Sequence, residues 1–179
     1  MRAIRKGKEQ FKEKEISIRT LVEADLFYLT KWLMDPVVLG FFPMSNLSEV
    51  QDASKIWLYY ARKNCAYTAE VDNIPMGMAI LYVNTFEKLR YQSLFAIVVG
   101  EEHRGKGIGF KLLTHLIQEA RDTYGITLLH LEVYEGNPAM NLYQRLGFTQ
   151  YGKHERFLKD PDGTYHTKIF MQLDLTKTR

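Results

Sequence analysis

Apolar positions along the chain change period several times, and each change marks an element. Leu26, Leu29 and Leu33 recur at helical spacing behind Thr20-Leu21-Val22-Glu23. That tetrad has the spacing of a capping box, in which the Thr and Glu side chains each bond the other's backbone N–H. The helix it predicts ends at Asp35-Pro36, because the residue before proline avoids the helical region. Segment 37–46, with Gly40, Phe41, Phe42 and Pro43, reads as an unusually apolar loop. Ser48 and Gln51 repeat the capping-box spacing, and Ala53, Ile56, Trp57 and Tyr60 follow on one predicted helix face.

Strand-like runs occupy 16–19, 66–71, 77–83, 93–99, 128–133 and 165–175. Asp72-Asn73 and Asp160-Pro161-Asp162-Gly163 read as turns; the latter predicts a hairpin whose first strand lies just before it. Leu112, Leu113, Leu116, Ile117, Ala120 and Tyr124 form another helical stripe, closed by Gly125. A last helix starts at Asn137-Pro138, buries Ala139, Leu142, Tyr143 and Leu146, and stops at Gly147. A helix joining run 93–99 to run 128–133 is a βαβ unit, so those two strands are predicted parallel.

The stretch between the central strand and its helix carries the chemistry. Arg104-Gly105-Lys106-Gly107-Ile108-Gly109 puts three glycines on alternate positions. Glycine lets successive backbone N–H groups turn toward one point. The helix N-terminus behind them adds unpaired N–H groups and a partial positive charge. Such a loop cradles an anion, above all a phosphate. A magnesium-nucleotide loop needs Ser or Thr after its lysine, where Gly107 stands. The dinucleotide fingerprint fails as well: counted from Gly105 or Gly107, its third glycine falls on Phe110 or Leu112.

Composition narrows the class. A chain of 179 residues suits one domain with a sizeable core. A net charge of +3 fits an anionic cofactor without demanding nucleic acid. Cys65 is the single cysteine, so no internal disulfide forms, as suits a reducing, cytoplasmic setting. No apolar run reaches membrane-span length. Residues 1–15 mix Arg and Lys with Glu and read as a flexible basic lead-in to a single domain over 16–176. The five histidines show no metal-ligand spacing.

The loop resembles the pyrophosphate loop of the GNAT acyltransferases, [QR]-x-x-G-x-[GA]. A second stretch is similar to that family's strand, asparagine and helix ending L-Y-x-x-x-G-F: Leu131-Glu132-Val133, then Asn137, Ala139, Leu142-Tyr143 and Leu146-Gly147-Phe148. Asn137 stands one position closer to Tyr143 than in many members. The resemblance implies an α/β fold with a mixed, splayed central sheet of six or seven strands and about four helices. It implies acetyl transfer from acetyl-CoA to a primary amine, directly within a ternary complex and without a metal. The backbone of Ile97, Val98 and Val99 would hold pantetheine. Arg104, Gly105, Lys106, Gly107, Ile108 and Gly109 would hold the phosphates, with Asn137 a further cofactor contact.

Tyr143 is the implied donor to the departing CoA sulfur. A model phenol titrates near 10 and a thiol near 8.5, so full transfer is uphill by about 2 kcal/mol and a hydrogen bond that shares the proton is the expected form. Glu132 is the implied base, with Glu135 and Glu101 as lesser candidates. The loop of Phe41, Phe42 and Pro43, with Trp57 and Tyr60, is a candidate acceptor pocket. The expected acceptor is a small-molecule amine. A protein N-terminus or lysine is the alternative acceptor, and a non-catalytic acyl-CoA-binding module is the alternative class. Neither nucleic acid nor a membrane is an expected partner, and the expected assembly is a monomer or homodimer.

Overall fold

A computed structural model describes residues 15–177. The basic lead-in, residues 1–15, lies outside the described residues apart from Glu15. In chain order the elements are β1 (Ser17–Thr20), α1 (Leu26–Leu33), α2 (Pro36–Leu39), α3 (Leu47–Ala61), β2 (Ala66–Val71), β3 (Ile74–Val83), β4 (Gln92–Val99), α4 (Ile108–Asp122), β5 (Leu128–Tyr134), α5 (Met140–Arg145), β6 (Thr149–Lys159) and β7 (Tyr165–Asp174).

The described strands make one seven-stranded sheet in the order β1-β2-β3-β4-β5-β7-β6. Every pairing is antiparallel except that of β4 with β5. This parallel pair is the one the βαβ reading predicts. Its register covers only Gln92↔Leu128, Ser93↔Leu129 and Leu94↔His130. Beyond Leu94 the two strands part, while β4 stays paired with β3 as far as Val99 and β5 stays paired with β7 as far as Tyr134. The sheet is therefore splayed at its centre.

Two cores sit on its two faces. On one, α4 covers the sheet with Leu112, Leu113, Leu116 and Ala120, against Leu81, Phe95, Leu129, Leu131 and Val133. On the other, α1 and α3 bring Leu29, Trp32, Leu33 and Trp57 against Met78, Ile80 and Val98. That second core takes residues from β2, β3 and β4 and none from β5, β6 or β7. Strand alternation puts His130, Glu132 and Tyr134 on this less covered face of β5.

Several sequence expectations shift. Thr20 does not cap a helix, because its backbone stays extended to pair with Tyr67. Val22 caps a single 3-10 turn, Glu23–Asp25, and the Asp25 carboxylate accepts the Val22 N–H at 2.9 Å. Asp25 is buried and also accepts from Arg19 at 2.6 Å and Thr68 at 2.9 Å. Burial pushes its carboxyl upward, but Arg19 and these hydrogen bonds win and hold it below the ordinary value. The second cap lies two residues ahead of Ser48: Asn46 accepts the Glu49 N–H at 3.0 Å, and Glu49 reaches back to the Ser45 N–H at 2.7 Å. The buried face of α3 is accordingly Val50, Ser54, Trp57 and Ala61, and Ile56 is exposed.

Part of the expected loop 37–46 is helical. Asp35 accepts the N–H groups of Val37 and Val38 and starts α2, so the described residues hold five α-helices where about four are predicted. Gly125 and Gly147 end α4 and α5 with positive φ, as predicted.

Candidate active site

The parting of β4 from β5 opens a cavity of about 720 Å³ that runs from the glycine loop to the α2–α3 loop. Its floor is the unpaired edge of β4. Gly100 N–H bonds the Met76 carbonyl, so in the β3–β4 register the backbone groups of Val98 point to Met78 in β3. Those of Ile97 and Val99 point the opposite way, into the gap. Val98 is thus turned from its two neighbours, and its side chain packs in the α1–α3 core.

At one end stands the loop. A short turn, Glu101–His103, leads into Arg104. Gly105 and Gly107 then adopt φ of 72° and 81°, and Gly107 caps α4 in the left-handed region. Among the described residues no group bonds the N–H of Gly105, Lys106 or Gly107. The first-turn N–H groups of α4, including Ile108 and Gly109, have no intrahelical acceptor. A Cβ on Gly109 would come within 3.0 Å of Leu142, so glycine there permits α5 to approach the start of α4. The cations are tethered to the chain itself: Arg104 Nε donates to the Val99 carbonyl at 3.2 Å, and Lys106 Nζ to the Glu102 carbonyl at 2.7 Å. Arg104 lines the cavity; Lys106 does not.

Tyr143 on α5 lines the opposite wall. Its ring packs against Phe95 and Phe148 with centroids 6.1 and 6.2 Å away. Among the described residues no hydrogen bond offsets the burial of its hydroxyl. Burial alone pushes the phenol well above its ordinary value, so it stays protonated through the neutral and alkaline range. Asn137 also lines the cavity, and its Oδ1 accepts the Ala139 N–H at 2.9 Å, fixing the turn that leads into α5.

Glu132 faces the cavity from β5 and is ion-paired with Lys168 of β7, a residue the sequence reading did not single out. Glu135 turns away to Lys153 at 3.4 Å, and neither it nor Glu101 lines the cavity. His103 does; burial lowers its pKa, which favours a neutral ring. Arg145, over the Phe110 ring at 5.7 Å, stands beside the loop and was likewise not anticipated.

At the far end Phe41, Phe42, Pro43, Ile56 and Trp57 line the cavity, as the acceptor-pocket reading requires. Tyr60 is the exception. It lines a separate cavity of about 440 Å³ with Tyr59, Lys63 and His130, because α3 is rotated from the predicted face. Cys65 is buried immediately ahead of β2, outside the main cavity.

The sequence pattern of the acetyltransferase (GNAT) family matches residues 13–148. The chain belongs to the GNAT acetyltransferases. It is 35% identical over 140 residues to an L-methionine sulfoximine/L-methionine sulfone acetyltransferase of Pseudomonas paraeruginosa, covering 75% of this chain and 80% of the relative. Identity is 31% over 164 residues to the L-amino acid N-acyltransferase MnaT of Escherichia coli, covering 89% and 94%. In fold, this GNAT N-acetyltransferase matches yncA of Salmonella typhimurium, a structure solved with its cofactor acetyl-CoA. The TM-score is 0.78 at 24% identity, over 90% of this chain and 95% of that one. The splayed seven-stranded sheet is the GNAT fold. Among the described residues no helix is long and apolar enough to cross a membrane.

Proposed function

We propose that residues 16–176 act as one domain that transfers the acetyl group of acetyl-CoA to the primary amine of a small molecule, in a ternary complex and in the cytoplasm. One observation carries this reading. Pairing of β4 with β5 stops at Leu94, and the backbone groups of Ile97 and Val99 face a cavity that ends at unpaired loop N–H groups. An extended molecule with its own amides and a phosphate terminus has complementary groups along that path. Ile97 and Val99 would hold the amide-bearing arm, with Val98 behind them in the core. Arg104, Gly105, Lys106, Gly107, Ile108 and Gly109 would hold the phosphates, chiefly through backbone N–H. Asn137 sets the turn that aims α5 at the gap.

Acetyl-CoA supplies the acetyl group as a reactive thioester. The amine nitrogen forms the new N–C bond as the C–S bond breaks, and the nitrogen's proton goes to the Glu132 carboxylate and on to solvent. The Tyr143 hydroxyl hydrogen-bonds the departing sulfur and supplies its proton, then recovers one from solvent. Its raised pKa favours the hydrogen-bonded form over an early full transfer. A backbone N–H in the gap, aimed at the thioester oxygen, would stabilise developing charge by about 3 kcal/mol. The apolar wall of Phe41, Phe42 and Trp57 suits an acceptor with an apolar part. A small acceptor is supported by the names of both relatives, which act on free amino acids or their analogues.

Calorimetry with acetyl-CoA, against ATP and a nicotinamide dinucleotide, tests the donor. Selective micromolar binding, followed by amine-dependent thiol release, is the expected result. Folded protein that fails to bind acetyl-CoA at millimolar concentration refutes the reading. Binding without thiol release from any amine leaves a non-catalytic acyl-CoA module.

A further inference from the structure

We propose that Glu132 and Lys168 together read the acceptor as a zwitterion, so that the substrate class is free α-amino acids and Lys168 is the specificity-determining contact for the carboxylate. This rests on the acetyl-transfer reading and refines its acceptor.

The two residues stand on neighbouring strands. The β5–β7 register puts Glu132 opposite Phe170 and Tyr134 opposite Lys168, all on the face that the α1–α3 core leaves uncovered. Glu132 and Lys168 both line the main cavity and are paired with each other. The other charged side chains of that cavity, Arg104 and Arg145, belong to the glycine-loop end. Neighbouring pairs do not line it: Asp160–His166 at 2.5 Å lies off the cavity, and Glu135–Lys153 at 3.4 Å falls on the opposite, α4-covered face, since Lys153 pairs with Ile169.

Lys168 is held rather than loose. Its side chain is 12% exposed, and its ammonium sits 3.6 Å from the centroid of the Phe157 ring. Phe157 reaches it because β6 bulges between His154 and Leu158, where Arg156 adopts a φ of 54°. A held cation touching a carboxylate, both open to the same cavity, presents opposite charges at hydrogen-bond separation. An α-amino acid presents the inverse: ammonium and carboxylate on one carbon. It docks by giving its ammonium to Glu132, the proposed base, and its carboxylate to Lys168. Each protein charge then keeps an opposite partner, whereas an uncharged amide would leave Lys168 without a second anion.

The test compares apolar amino acids with their own carboxamides. L-leucine, L-methionine and L-phenylalanine are each assayed against the matching amide by kcat/KM at saturating acetyl-CoA. The amide's amine is the easier to deprotonate, so solution chemistry alone favours the amide. The wild-type protein is expected to prefer the acid by about 10- to 150-fold, the range of a hydrogen bond to a charged group. Lys168→Gln and Lys168→Met should abolish most of that ratio, and Lys168→Arg should retain it. Any effect through the freed Glu132 acts on both substrates and cancels in the ratio. Acetyl-CoA affinity and thermal melting establish that each variant is folded. A wild-type protein that acetylates the amides as well as the acids overturns the proposal and leaves the acetyltransferase reading standing. So does a folded Lys168→Met variant that keeps the full preference. Failure to bind acetyl-CoA at all overturns both.

Discussion

The two ends of the main cavity are made of different material. At the α4 end the groups left open are backbone N–H groups, and the side chains matter mostly by being absent: Gly105 and Gly107 supply left-handed φ, and Gly109 leaves room for Leu142. At the β5–β7 end the contacts are side chains, Glu132 and Lys168, brought together by strand register and braced by Phe157. Tyr143 stands between the two, buried against Phe95 and Phe148. On the function proposed above, the difference separates donor recognition from acceptor recognition. A site made of backbone recognises a ligand shared across a family, because it survives changes of surface residues. A site made of side chains is where one member differs from another.

Substitutions can break or sharpen this contrast. The largest effect is expected at the junction. Tyr143→Phe should lower kcat by about 10² to 10⁴, the usual range for a positioned proton donor. Acetyl-CoA affinity should be unchanged by calorimetry. Because burial holds the phenol above its ordinary value, the loss should be the same at pH 7 as at pH 9. A loss that fades as pH rises would mean the tyrosine titrates in that interval.

The next effect falls on the backbone end. Gly107→Val puts a β-branched residue at φ 81°. Strain of about 1–3 kcal/mol should weaken acetyl-CoA binding by roughly 5- to 150-fold. The variant should still melt cooperatively, since the loop packs little against the core.

A smaller effect is expected at the acceptor wall. Phe42→Ser should raise the KM for an apolar acceptor by about tenfold through lost burial, with acetyl-CoA affinity unchanged. Equal changes in both constants would show that the wall is shared.

The smallest effect sharpens the contrast most. Arg104→Ala should weaken acetyl-CoA binding by only about two- to fivefold, as an exposed charge in high dielectric contributes under about 1 kcal/mol. A hundredfold loss would show that charge, rather than backbone, holds the phosphates.

The backbone end was legible because its signal is local. Three glycines on alternate positions, a strand before them and a helical stripe after them lie within one continuous stretch. The same holds for Asn137, Tyr143 and Gly147 on their turn and helix. Lys168 was not legible. Nothing around it in Thr167-Lys168-Ile169 distinguishes it from any solvated strand lysine. Its pairing with Glu132 depends on β7 entering the sheet between β5 and β6, a choice made across 36 residues. Tyr60 and the cap at Asn46 misread for a related reason. The chain offers two nearby capping patterns, of which Asn46 supplies the one used, and separately the burial of Trp57 and Ala61 against β2 and β3 sets the rotation of α3 that turns Tyr60 aside.

By itself, then, the sequence determined most of the elements, though not α2, together with the parallel β4–β5 pair, the glycine loop ahead of α4 and the helix that carries Tyr143. Those follow from periodicity, glycine conformation and capping, all of which act over a few residues. The tertiary structure decided where β4 and β5 part, which backbone groups are left facing the gap, and which charges meet across β5 and β7. Those follow from strand register and helix rotation, which are set by how the two cores pack on opposite faces of one sheet.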